Sequence, residues 1–337
     1  MPCGRRTIFW IVLTVITLAL VWVCLFTGTV TIPYADTWSV FTGGEASKST
    51  WTHIVSELRV PMTVTAALTG AALAVAGLLL QTTFNNPLAG PSILGVSTGA
   101  SLGVAVILLA VPAMMGTALA SIIGATVGAV AVIALLLGFS LLVRSSMMLL
   151  IVGIMISYLT SSVISLLNFY ATQEGVHSYV IWGLGNFSGV GRDNLLLFSV
   201  VIILLLTASL LLTKPLNAFL MGERYAANIG TNVRLSRNII LLLSGVLVAV
   251  TTAFCGPISF LGIAVPHIAR LLMHTSNHKV LLPATILCGI LTGLLTLWLS
   301  MLPGDKGMLP VNAITPVIGV PVVIYIIINR RRISYFN

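Results

Sequence analysis

The chain has 337 residues, of which 58% are hydrophobic and only 7% are charged, and its mean hydropathy is +1.12. A soluble globular protein carries about a quarter of its residues as charges, so this composition excludes that class and predicts a polytopic membrane protein. The net charge of +9 would suggest nucleic-acid binding in a soluble protein, but basic residues collect on the cytoplasmic side of membrane proteins. We therefore expect a lipid bilayer as a partner, and no nucleic acid.

Ten apolar runs are candidates for membrane-spanning helices, each of which takes roughly 20 residues. The sequence predicts an all-α membrane domain covering 1–337, with spans at about 7–26, 60–80, 93–111, 117–139, 147–168, 194–212, 238–255, 258–273, 280–300 and 313–328. The first run follows Arg5 and Arg6 as a signal peptide would. No good small-x-small cleavage site follows it, so a retained helix is favoured.

The distribution of basic residues favours ten spans with both termini in the cytoplasm. Twelve then lie inside, namely Arg5, Arg6, Arg144, Lys214, Arg224, Arg234, Arg237, Arg270, Lys279, Arg330, Arg331 and Arg332. Four lie outside, namely Lys48, Arg59, Arg192 and Lys306. Merging or splitting a span would break this asymmetry, which is the usual one for membrane proteins.

Small and polar residues recur on two of the predicted helices. Gly95, Gly99 and Gly103 repeat every four residues in the third span, which favours close packing against another helix. In the fifth span a polar stripe shares one helix face, formed by Ser157, Ser161, Ser165 and Asn168. Such a stripe either bonds to neighbouring helices or lines a watery pathway, and the sequence leaves both interpretations open.

A short sequence echo points to an internal repeat. The segment GPSILGV at Gly90 and the segment GPISFLGI at Gly256 each precede a predicted helix, five spans apart. An odd number of spans between them would invert one copy across the membrane, as in many transporters. Spans 2–5 and 7–10 then form an inverted repeat, with chance similarity as the alternative.

The chemistry that is missing narrows the function. No Asp or Glu falls within a predicted span, which disfavours a proton-coupled carrier, although sodium coupling through backbone carbonyls stays open. No hydrolase or zinc-protease motif is present, and His274 and His278 lack a third ligand, so we predict neither an enzyme nor a metal site. The chain also lacks a P-loop, so energy for active transport must come from another chain.

The longest predicted inner loop, residues 213–237, is the largest polar break in the chain. It contains Lys214, Glu223, Arg224, Arg234 and Arg237 between two long apolar runs. We interpret this segment as the place where a separate motor protein acts on the membrane domain.

Several motifs in a fixed order resemble those of the FecCD family of ABC importer permeases, over about residues 59–329. They include Arg59-Val60-Pro61, Asn86-Pro87-Leu88-Ala89, Gly222-Glu223-x-x-Ala226 and Pro266-His267-x-x-Arg270. Residues that carry the resemblance as structural motifs are Gln81, Asn86, Pro87, Gly95, Gly99, Gly103, Pro266, His267 and Arg270.

The resemblance implies a transport subunit with no catalytic residues and no cofactor of its own. It implies a homodimer in the bacterial inner membrane, two cytoplasmic ATPase subunits that bind ATP and Mg, and a substrate-binding protein docked outside. The substrates implied are ferric siderophores, haem or cobalamin. The residues implied to couple to the ATPase are Leu216, Asn217, Gly222, Glu223, Arg224, Ala226, Ala227 and Gly230.

The chain also departs from the family pattern near the outer surface. Met62, Leu297, Met301 and Met308 stand where charged residues are usual, and Asn312 stands where glycine is usual. Docking of the binding protein is therefore expected to use Lys48, Arg59, Arg192 and Lys306, or apolar contact. The alternative functions are an ion-coupled secondary transporter and a structural or sensor membrane protein; the latter would leave the composition of 213–237 unexplained.

Overall fold

The computed structural model describes residues 3–111, 118–143, 145–304 and 307–328, and within them the fold is entirely helical. The helices are α1 (Cys3–Phe26), α2 (Tyr34–Phe41), α3 (Ser49–His53), α4 (Val60–Thr83), α5 (Val96–Ala105), α6 (Ala118–Leu142), α7 (Ser146–Tyr170), α8 (Gln173–Gly183), α9 (Arg192–Leu211), α10 (Thr213–Phe219), α11 (Glu223–Asn228), α12 (Val233–Cys255), α13 (Leu261–Met273), α14 (His278–Met301) and α15 (Val311–Ile328). A π-helical segment, Ile54–Arg59, joins α3 to α4, another, Val106–Ala110, extends α5, and a 3-10 turn, Pro91–Leu94, precedes α5.

Among the described residues, seven helical stretches are long and apolar enough to cross a bilayer, and three shorter apolar helices accompany them. The long ones are Thr7–Phe26, Ser49–Thr83, Ala118–Leu142, Ser146–Tyr170, Arg192–Leu211, Val233–Cys255 and His278–Met301, and the short ones are Val96–Ala110, Leu261–Met273 and Val311–Tyr325. Each of the ten predicted spans overlaps one of these. The predicted all-α membrane class is confirmed; α2, α8, α10 and α11 lie in the connections, and α3 begins the stretch that continues into α4.

Helix α4 is the centre of the bundle because its small residues let other helices approach its backbone. A Cβ atom on Gly70 would overlap the carbonyl of Gly289 on α14, and one on Gly77 would overlap the carbonyl of Gly262 on α13. Almost every side chain of α4 from Gly70 to Thr83 is buried. We call these three close-packed helices the α4–α13–α14 group.

A second group is built in the same way from α5, α6 and α7. Gly99 and Gly103 of α5 lie against Gly128 and Gly124 of α6, so closely that a side chain on any of the four would overlap the other helix. Gly95 differs from the expectation that it shares this face. Its φ of +80° makes it the left-handed residue that starts α5. We call these helices the α5–α6–α7 group.

The packing between the two groups has the pattern of an inverted repeat. Suppose that α4, α5, α6 and α7 of the first half correspond in order to α12, α13, α14 and α15 of the second half. The contact of α4 with α14 then has its counterpart in the contact of α12 with α6, and both contacts occur. In each half the Gly-Pro segment precedes a short apolar helix, α5 and α13 respectively. Helix α12 also contacts α4 and so joins the two groups. These matches favour the repeat over chance similarity.

Candidate functional site

The segment between α9 and α12 folds into two short helices, α10 and α11, that close one end of the bundle. Leu216 and Phe219 of α10 and Ala226 of α11 are buried in the main apolar core. Both helices are too short to be stable alone, so their burial against the bundle fixes them. The segment predicted from its polar composition is therefore an ordered part of the fold.

Two glycines with positive φ set the bends of this segment. Gly222 separates α10 from α11 with φ +94° and ψ 156°, a region that residues with side chains almost never adopt. Gly230, with φ +85°, ends α11. There the N–H of Gly230 donates to Ala227 O and the N–H of Thr231 donates to Ala226 O, which is a Schellman cap. Neither glycine has a neighbouring atom within 4 Å of where a Cβ would lie, so their conformation, and not their size, requires glycine.

Asn217 joins α10 to the α4–α13–α14 group. Its Oδ1 accepts hydrogen bonds from the backbone N–H and Nδ1 of His278, and its Nδ2 donates to Asn277 Oδ1 at 3.1 Å. The second ring nitrogen of His278 lies 2.9 Å from Thr82 Oγ1 on α4. One imidazole thus connects α10, α14 and α4, and it is fully buried.

Six of the residues expected to form structural motifs lie on α4, α13 and the connection after α4, whereas the three glycines, Gly95, Gly99 and Gly103, lie at α5. Arg270 on α13 donates to Gln81 Oε1 on α4 at 2.8 Å, and Gln81 donates to Ile263 O at 3.2 Å. His267 Nε2 lies 2.8 Å from Pro87 O. Asn86 Oδ1 accepts from the N–H of Leu88, which closes the turn after α4, and Pro266 lies buried inside α13. The Gln81 bonds hold α4 against α13, and the His267–Pro87 contact holds the 84–91 connection against α13.

Helix α11 and the start of α12 contact the turn between α6 and α7. The Glu223 carboxylate accepts a hydrogen bond from Ser146 Oγ, at the first residue of α7. Arg237 Nη2 donates to Ser140 O and Val143 O at 3.1 Å each, at the end of α6. Ser140 Oγ in turn donates to Asn238 Oδ1. The segment α10–α11 therefore touches both helix groups.

The outward side of α11 presents apolar side chains that the sequence reasoning missed. Met221, Tyr225 and Ile229 are 61, 47 and 55% exposed, and they line an open groove of about 580 Å³ with Lys214, Pro215, Asn217, Ala218, Thr231 and Ser236. Arg224, Ala227 and Gly230 are exposed beside them. The four-residue spacing of Tyr225 and Ile229 was a readable signal, because it places them on one face of α11, whereas Met221 precedes the bend at Gly222.

Comparison with known proteins decides the family. The model of the FecCD transport family matches residues 16–329. The chain belongs to the FecCD transport family. Relatives of this FecCD chain include the vitamin B12 import system permease protein BtuC of Escherichia coli O9:H4, 31% identical over 82% of this chain and 84% of the relative. The molybdate import system permease protein MolB of Haemophilus influenzae is 30% identical over 83% of this chain and 82% of the relative.

A solved structure agrees with the sequence relatives. It is assigned as a metal-chelate type ABC transporter in an inward-facing conformation, and it superposes with a TM-score of 0.84 at 28% identity, covering 96% of this chain and 99% of its own. This FecCD chain is thus a multi-pass permease of an ABC importer.

The polar stripe of this FecCD permease lies on a mostly exposed helix. Ser161 and Ser165 of α7 are exposed, and Ser157 and Asn168 are half-buried. Ser157, Ser165 and Asn168 each donate to the carbonyl four residues earlier, at 2.9 to 3.0 Å. The side chains that bond in this way do not join neighbouring helices. Gly95, at the start of α5, packs against Ser157.

At the opposite end of the bundle, one of the expected docking residues must be corrected. Arg59 is 4% exposed, and its guanidinium donates to Leu25 O and Phe26 O, at the end of α1, and to Val30 O. Its charge caps α1 and is not available to a docked protein. Arg192 is exposed and pairs with Glu57 at 2.8 Å. Lys48 lies over the Trp51 ring, and Lys306 lies outside the described residues.

The family departures of this FecCD chain are mostly core positions. Met62, Leu297 and Met301 are buried in an apolar cluster that also contains Cys24, Ala66, Phe187, Cys255, Leu294 and Val311. Met308 is 43% exposed. Met62 and Met308 both line an open pocket of about 310 Å³. Asn312 donates to Gly183 O and accepts from Ser259 N, so it connects the end of α8 and the segment before α13 to α15.

Proposed function

We propose that this permease imports an iron chelate (a ferric siderophore or haem) or cobalamin across the bacterial inner membrane. The observation that carries the proposal is the α10–α11 segment, which is anchored to both helix groups and keeps an apolar groove exposed. A cytoplasmic ATPase subunit binds there, holds the ATP and Mg, and supplies the energy. Two copies of the chain form a homodimer with the pathway between them, lined by the polar stripe of α7.

The described side chains suit a bulky substrate of mixed polarity. Helix α7 has no charged residue from Ser146 to Tyr170, whereas a small oxyanion would favour fixed cationic or amide donors. Among the described residues, the acidic residues inside candidate spanning stretches are Glu57 and Asp193, toward the ends of those stretches, and Glu57 pairs with Arg192. Neither lies in the middle of a spanning stretch, where a proton-coupled carrier usually has a carboxylate.

The partner on the other face is a substrate-binding protein. Arg192 and Lys48 are its exposed cationic contacts, and the Met62–Met308 pocket offers an apolar one. The buried Arg59 takes no part in this contact. We expect charge reversal of Arg192 to weaken binding-protein association more than loss of Lys48, because reversal changes the local charge by two and loss changes it by one.

Vesicle uptake tests the proposal. The chain is reconstituted with an ABC ATPase subunit and a binding protein, and uptake of labelled ferric siderophore, haem, cobalamin and molybdate is measured with and without ATP. We expect ATP-dependent uptake of one of the chelates or of cobalamin. Uptake of molybdate alone would overturn the substrate class. Uptake driven by a sodium or proton gradient without the ATPase would instead establish the secondary carrier.

A further inference from the structure

We propose that Glu223 acts inside this chain, as a positioning residue that ties α11 to α7 through Ser146, so that movement of α11 is passed directly to the helix with the polar stripe. This inference rests on the proposed function. It assigns Glu223 a partner within the permease, whereas a role in coupling alone would let its carboxylate point at the ATPase.

The position of the carboxylate favours a strong contact. Glu223 is the first residue of α11, and the hydroxyl that it accepts from belongs to the first residue of α7. Helix N-termini carry partial positive charge, so one carboxylate lies at two favourable helix ends. Ser146 is only 6% exposed, and a hydrogen bond to a charged group gains strength when water is excluded.

A second contact fixes the same turn from α12. The Arg237 guanidinium, 2% exposed, binds the carbonyls of Ser140 and Val143, where α6 ends and the partial charge is negative. An anion thus holds the start of α7 while a cation holds the end of α6. Each of these two charges has the sign that the partial charge of its helix end favours.

The other end of the segment is attached elsewhere. Asn217 binds His278 of α14, which attaches α10 to the α4–α13–α14 group, whereas the Glu223–Ser146 bond attaches α11 to the α5–α6–α7 group. Gly222 lies between the two attachments, in open space and in a conformation available only to glycine. The α10–α11 segment is therefore attached to one helix group on each side of its bend at Gly222.

The test combines transport with a distance measurement. The variants are S146A, E223A, E223Q and the S146A/E223A double variant, with S145A as the matched control because the Ser145 side chain makes no capping bond. In the complete complex we expect S146A and E223A each to lower uptake per ATP hydrolysed by about tenfold, since each removes one charge-assisted hydrogen bond. The double variant should be no worse than either single one, and E223Q, which keeps an acceptor, should recover part of the loss.

Spin labels at R224C and M147C, both on exposed or surface positions of α11 and α7, report the attachment itself. In the isolated chain we expect a broader distance distribution for S146A than for S145A. A distribution as narrow as the control, or additive losses in the double variant, would overturn the inference. Loss of ATPase binding in E223A but not in S146A would overturn it as well. Absence of all uptake by the wild type would refute the proposed function, while the label distances would still test the contact.

Discussion

Asn217 Oδ1 accepts two hydrogen bonds from His278, one from the backbone N–H at 2.8 Å and one from Nδ1 at 2.9 Å. The backbone donor fixes the orientation of the amide, and the oxygen then requires a proton on Nδ1. In the neutral ring, Nε2 is left to accept from Thr82. The buried imidazole of His278 therefore sets the position of α10 relative to α4 and α14.

Replacement of Asn217 by alanine should destabilise the permease. It leaves the buried ring nitrogen and the backbone N–H of His278 without their acceptor, a loss of about 1 to 3 kcal/mol in the free energy of unfolding. Thermal unfolding in detergent measures this, with Asn228→Ala on the exposed part of α11 as the control. Asn217→Asp keeps the acceptor and should recover most of the loss; equal midpoints for N217A and N228A would contradict the assignment.

Alanine at Gly222 or Gly230 should cost about 1 to 2 kcal/mol each, because a side chain disfavours positive φ even where space is open. Gly138 of α6 provides the comparison, since its surroundings are equally open and its φ is not positive. Gly138→Ala should leave stability unchanged or raise it slightly, as alanine favours a helix. Unfolding midpoints of the three variants decide the point, and a loss at Gly138 equal to the other two would refute a conformational cause.

Arg59 and Arg192 should respond to substitution in opposite ways. Arg59→Leu leaves carbonyls at the end of α1 without a donor and should lower the free energy of unfolding by roughly 3 kcal/mol. Arg192→Ala breaks only an exposed ion pair and should change stability by less than about 0.5 kcal/mol. Unfolding and binding-protein association are measured for both. Normal stability of R59L together with weakened association would restore Arg59 as a docking residue.

The loop after α2 should keep its order in mild acid. Asp36 accepts from the N–H and Oγ of Ser47, at 2.7 and 2.6 Å, and these bonds lower the pKa of its carboxyl. Because the pKa of this carboxyl is lower in the folded than in the unfolded protein, the contact stabilises the fold at any pH above the unfolded-state pKa of about 3.9. This stabilisation is lost as the pH falls through the folded-state pKa. Hydrogen exchange at the Ser47 amide should therefore accelerate only below about pH 4. Asp36→Asn should remove this pH dependence of the exchange rate. If exchange in the wild type instead accelerated near neutral pH, a group other than Asp36 would be responsible.

The sequence predicted those features that local patterns determine. Hydropathy located ten apolar helices because a bilayer crossing needs a long apolar run, and the polar composition of 213–237 located α10 and α11. The glycine spacing at Gly99 and Gly103 predicted a close contact without naming α6 as the partner. Arg59 was misjudged because its acceptors, at the end of α1, lie far along the chain. The pairs Asn217–His278 and Ser146–Glu223 could not be predicted, since tertiary packing alone brings them together.

Helix α4, in the first half of the chain, packs against α13 and α14, in the second half, and this has a consequence for how the protein is made. Helix α4 finds its closest neighbours, α13 and α14, only after nearly the whole chain has been synthesised, a delay on the order of tens of seconds at cellular rates. Until then, the bare glycine surface at Gly70 and Gly77 is open to the wrong helices. We therefore expect the insertion machinery or a chaperone to shield this surface of α4, because a ribosome that stalls before α13 leaves α4 with α9 and α12 as neighbours but without α13 and α14.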